Sequence, residues 1–143
     1  MTKLFLTVSL VFFLLQSYSQ STIIQDRKQI AAVCDTFMKN FSVRNFYGAV
    51  QSLKVYSAID HEQLDTLSYT VERQMGALGP SYGRIIGYDF ISEKSIKEYL
   101  VKRVYTLKFE HSLLVFNFIC YYNNTEWKIV SFDYTHEKDE LFK

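Results

Sequence analysis

The alternation of apolar and polar positions changes character twice along this chain of 143 residues. At the start it is a block. Leu4–Leu15 is apolar except for Thr7 and Ser9, preceded by the short positive stretch Met1–Lys3 and followed by polar Gln16–Gln20. Such a block falls short of the roughly 20 residues that cross a bilayer, and it has the length of a signal-peptide core. Ser17-Tyr18-Ser19 places small residues where the shallow pocket of signal peptidase requires them. The expected cut is therefore after Ser19, leaving residues 20–143 as a single exported domain, periplasmic or extracellular. No cysteine follows the block to take a lipid, and no second stretch of 18 apolar residues occurs, so the mature chain is expected to carry no membrane anchor.

The second regime is helical. Ile30, Val33, Cys34, Phe37, Met38 and Phe41 recur at three- and four-residue spacing, which predicts a helix from a cap at Ser21 to about Phe41. Ser42 is the expected cap of a second helix carrying Phe46, Val50 and Leu53. A third is expected from Asp60-His61-Glu62, acidic residues suited to a helix N-terminus, with Leu64, Leu67, Val71, Met75 and Leu78 on one stripe. Gly76, Gly79 and Pro80 are expected to end it.

The third regime has a period of two. Arg84–Ile91 alternates, and from Leu100 onward Tyr105, Leu107 and Phe109 face one way while Thr106, Lys108 and Glu110 face the other. His111-Ser112 and Asn123-Asn124-Thr125 read as turns. Between them Leu113–Tyr122 is apolar on both faces, as a central strand is. Glu126–Tyr134 is the last strand and His136–Lys143 a charged tail. Helices followed by a run of antiparallel strands predict an α+β fold, with the helices packed on a curved sheet of about four strands.

Composition adds one positive signal and several exclusions. Aromatic residues make up 17% of the chain, including 11 Tyr and 12 Phe. So many rings call for a wide sheet to cover or a concave surface to line. Loss of Lys3 with the leader would bring the 16 basic residues to 15, equal to the 15 acidic ones, and these charges are scattered. A neutral chain without a basic patch argues against nucleic acid or anionic lipid as a partner. Cys34 and Cys120 would pass into an oxidising compartment, where a disulfide between them and a pair of buried free thiols are both open. Neither has a second Cys or a His at ligand spacing, so no metal site is expected.

The order of features resembles the nuclear transport factor 2-like superfamily, also called cystatin-like or SnoaL-like. The resemblance is carried by Phe37-Met38 and Asn45-Phe46-Tyr47 in the leading helices and by the Met75…Leu78-Gly79 helix end. Gly83-Arg84-Ile85, Tyr105-Thr106-Leu107-Lys108-Phe109 and the closing Glu126-Trp127-Lys128-Ile129-Val130-Ser131-Phe132 complete it. It extends over nearly all of residues 20–143, every piece is a packing feature, and the nearest look-alikes are short exported bacterial proteins. The resemblance implies a sheet curled into a cone around a cavity closed by helices, with homodimers through the sheet face common in the group. Enzymes of the superfamily place Asp, His or Tyr inside the cone; other members bind or scaffold.

An isomerase or hydratase of that kind needs a carboxylate base and a hydrogen-bond donor for the oxyanion. Asp60 fits a helix cap, and Asp89 alternates away from Tyr88 and Phe90. Asp133, placed by alternation on the face of Trp127 and Ile129, is the best candidate base, with Tyr105, Tyr88 or Arg103 as donors. His61, His111 and His136 fall in a helix start, a turn and the tail, with no nucleophile motif around them. Gly76…Gly79…Gly83 lacks the Lys-Ser/Thr of a phosphate loop, and no cofactor is expected. Asn40-Phe41-Ser42 and Asn123-Asn124-Thr125 match glycosylation sequons. The expectation is an exported, non-enzymatic binding or interaction module for an apolar small molecule or a protein partner. The alternative is a SnoaL-like isomerase or hydratase.

Overall fold

A computed structural model describes residues 23–143; the leader 1–19, its cut and Ser21 lie outside the described residues. Three helices come first: α1 (Arg27–Ser42), α2 (Phe46–Leu53) and α3 (His61–Tyr82). Four strands follow, β1 (Ile85–Ile96), β2 (Leu100–Phe109), β3 (Leu113–Tyr122) and β4 (Trp127–Thr135), in one open antiparallel sheet of order β1-β2-β3-β4. The tail makes a 3₁₀ turn at Lys138–Phe142. This is the expected α+β fold, with helices on one face of a curved sheet. No described helix is long and apolar enough to cross a membrane.

The helix ends differ in detail from expectation, and each difference has a local cause. α1 starts at Arg27, with the Asp26 carboxylate accepting from the Lys28 N–H at 2.9 Å. Residues 23–26 are not helical: the Ile24 carbonyl accepts from the Trp127 N–H at the start of β4 while its side chain enters the core. Ser42 closes α1, donating its hydroxyl to the Lys39 carbonyl at 2.8 Å, and does not open α2. Asn45 caps α2 through the Gly48 N–H at 3.0 Å. Asp60 caps α3 as expected.

α3 runs through Gly76, Gly79 and Pro80 to Tyr82. Pro80 lacks only the donor to the Gly76 carbonyl, and this close to the C-terminus one missing bond does not stop the helix. Gly83 ends it instead, at φ 77°, with its N–H returning to the Gly79 carbonyl at 2.9 Å. A Cβ there would come within 2.7 Å of the Glu110 carboxylate, the group that accepts from the Arg84 N–H and guanidinium.

β3 lies inside the sheet between β2 and β4. The free edge of β4 is covered by the α2–α3 connection: Ile129 donates its N–H to the Tyr56 carbonyl at 2.8 Å and accepts from Ala58 at 2.9 Å. The tail turn packs against β3 on the face the helices leave open.

Candidate functional site

Which side chains meet on the helix-covered face is decided by β-bulges in β1 and β4. In β1, Phe90 lies opposite Tyr105 but Ser92 lies opposite Val104, so Ile91 is an extra residue. Alternation resumes one step late, and Glu93 and Ser95 join Phe90 on the inner face. In β4, Ile129 lies opposite Cys120 and Ser131 opposite Ile119, which makes Val130 the extra residue. Phe132 and Tyr134 thereby turn inward and Asp133 outward. A bulge redirects every later side chain of its strand.

The inner face carries a polar cluster around Arg103, whose side chain is only 9% exposed. Its Nε and Nη2 donate to the Tyr105 hydroxyl at 3.0 and 2.9 Å, and its Nη1 donates to Glu93. The Tyr105 hydroxyl in turn donates to Asp35 on α1, 2.5 Å away, and Arg103 Nη2 lies 3.5 Å from the same carboxylate. Arg27 pairs with the other oxygen of Glu93 and donates to the Ser95 hydroxyl at 2.6 Å. The Phe90 ring lies beneath the guanidinium, 4.6 Å from centroid to Cζ.

Two cations and two carboxylates make this cluster neutral. Burial opposes the charge on Arg103, but its bonds to Tyr105 and Glu93 outweigh that cost and hold its pKa above the ordinary value. Burial, then the bond to Asp35, pushes Tyr105 up, so it stays a phenol and keeps its donated proton. The Nε, Nη1 and Nη2 of Arg103 are all directed at a carboxylate or hydroxyl of the cluster itself. The arrangement therefore clamps α1 to β1 and β2.

The rest of the concave face is filled by rings. Phe37 packs against Phe41, Phe116, Phe118 and Phe132, with centroids 4.8 to 6.4 Å apart. Phe37, Phe41, Phe116 and Phe118 have no exposed surface. The volume a cone would offer to a ligand is occupied by the protein's own side chains.

Of the four candidates from sequence, Tyr105 and Arg103 meet in the clamp, while Asp133 and Tyr88 do not join them. Asp133 is on the outer face, accepting from Asn117 Nδ2 at 2.9 Å, because Val130 shifts the register that would have set it beside Trp127 and Ile129. Tyr88 is half-buried against Leu107, with its side chain packed on the core. Asp89 points outward to Lys108 at 2.8 Å, as its alternation predicts. His61 contacts the Lys54 carbonyl at 3.1 Å. Asp35, Glu93, Arg27 and Phe90 were not singled out from sequence. Asp35 had a legible signal, as a carboxylate next to the apolar stripe of α1; Glu93 had none, because strict alternation turns it outward.

Beside the clamp, Cys34 and Cys120 are fully buried free thiols. Among the described residues no group of three His, Cys, Asp or Glu side chains could hold a metal ion. At the far end of the sheet, α3 and the ends of β3 and β4 enclose a groove of about 290 Å³ lined by Ala77, Leu78, Tyr82, Leu114 and Tyr134. The Tyr134 hydroxyl is tied to Gln74 at its rim.

No family model, curated protein or solved structure matches the chain. Geometry alone carries the functional argument.

Proposed function

We propose that the chain is an exported, non-enzymatic interaction module of nuclear transport factor 2-like type, which receives an apolar side chain of a protein partner. The filling of the concave face by Phe37, Phe41, Phe116, Phe118 and Phe132 carries this reading, because it removes the space in which a substrate would sit. Beside the filled face lies the groove between α3 and the sheet, with a lining that is mostly apolar. At about 290 Å³ it lies just under the roughly 300–1,000 Å³ typical of small-molecule sites, and suits a single ring or a branched side chain. Ala77 is exposed at its wall, so Ala77→Trp fills the groove without disturbing the core. Partners recovered from the host's extracytoplasmic fraction with the wild-type chain should be lost with Ala77→Trp. Equal recovery with both would end this reading. A second copy is also a candidate partner: Ile96, Tyr99 and Tyr121 are exposed together beside the tail on the outer face. Sedimentation of the chain alone reads that directly.

One observation favours the isomerase or hydratase reading. Asp35 is half-exposed and hydrogen-bonded to Tyr105, with Arg103 adjacent. Its Oδ1 is, however, already engaged by the Tyr105 hydroxyl and the Arg103 guanidinium of the protein's own clamp. Turnover of an enolisable ketone that disappears in Asp35→Asn would restore this alternative.

A further inference from the structure

Cys34 and Cys120 come from distant parts of the chain, α1 and the interior strand β3, yet neither has any exposed surface and both enter the same layer of the core: Phe37, one turn on from Cys34, packs on Phe118, two residues before Cys120, with ring centroids 5.2 Å apart. Cys34 precedes Asp35, the α1 end of the clamp. Cys120 pairs across the sheet with Val101, on the same inner face as Arg103. We propose that Cys34 and Cys120 are a modification site, a dithiol that a disulfide-bearing oxidant converts into a cross-link between α1 and β3, fixing Asp35 onto Tyr105 and Arg103.

One of the two cysteines reacts first, as thiolate. It attacks one sulfur of a disulfide RSSR and expels RS⁻. The other then gives up its proton and attacks the protein sulfur of the mixed disulfide, expelling the second RS⁻. The two thiols are oxidised, one external disulfide is reduced, and the two protons leave on two RSH. Because neither sulfur is exposed, the exchange belongs to the stage before α1 docks on the sheet.

The inference rests on the export reading only for the source of the oxidant. The test refolds the full chain, after complete reduction, in a buffer of reduced and oxidised glutathione. Intact mass should fall by two hydrogens, iodoacetamide in denaturant should find no thiol, and the melting temperature should rise by about 10 °C over the reduced form. Glutathione adducts in place of the cross-link, or a cross-linked form that melts no higher, would overturn the proposal. In Cys34→Ser the same buffer should raise the melting temperature not at all; an undiminished rise contradicts the proposal, and the wild-type mass stands as the readout should that variant not fold. If the cross-link forms in glutathione while the protein from its own host carries two thiols, the site stands and the export reading fails.

Discussion

Glu93 faces Arg103 across the β1–β2 ladder because Ile91 is an extra residue in β1. Deleting Ile91 alone removes the bulge but leaves Ser92 opposite Val104 and Glu93 opposite Arg103, and should cost about 1 kcal/mol or less. Deleting Ile91 and Ser92 together puts Lys94 inward opposite Arg103 in place of Glu93. The expected cost is at least about 3 kcal/mol, with loss of a sharp urea transition, since an unpaired ammonium would then face the core. Equal effects of the two deletions would show that residue parity after Phe90 does not set the face.

The clamp is expected to be cooperative. Arg103→Met leaves Glu93 and Asp35 without their shared cation and should cost about 2–4 kcal/mol in urea denaturation. That is under the full penalty for a buried pair, because water reaches Asp35. In the double variant with Glu93→Gln the cost should be clearly less than the sum of the two singles. Strict additivity would mean that the two groups do not act together.

Tyr105 gives the pH dependence. Its folded pKa lies above the ordinary 10.0, so the native state holds its proton more tightly than the unfolded chain does. That contribution is fully present below pH 10 and is lost as pH rises above it. Tyr105→Phe should cost about 1–2 kcal/mol at pH 7 and lose less stability than the wild type between pH 9 and 11. Comparing the two proteins cancels the other tyrosines; parallel curves would contradict the assignment.

Asp133 and Phe37 make a contrasting pair. Phe37→Ala removes a ring that touches four others and should cost about 3–5 kcal/mol. Asp133→Ala frees one amide hydrogen bond on the outer face and should cost about 1 kcal/mol, measured by the same denaturation.

These residues also mark how far the sequence could be read. The stripes of α1 and α3, the doubly apolar β3 and the pairing of Tyr105 with Leu107 and Phe109 on one face were all legible, because burial imposes its own period. The clamp was half legible. Tyr105 and Arg103 lie on β2, whose alternation is unbroken, whereas Glu93 and Asp133 each follow a bulge made by an ordinary Ile or Val with no turn chemistry to announce it. Parity counted along a strand is only as good as the last bulge. The helix ends were displaced for a related reason: Ile24 is claimed by β4 and Asn45 by Gly48, and such partners are visible only once the chain is folded.

The central claim is that the protein's own rings fill the concave side of the sheet. Diffraction from crystals pressurised with xenon tests it most directly, because xenon enters any apolar void of sufficient size. The account predicts xenon in the groove by Leu78, Leu114 and Tyr134 and none among Phe37, Phe41, Phe116, Phe118 and Phe132. A well-occupied xenon atom among those five rings would contradict it and return the small-molecule readings to consideration.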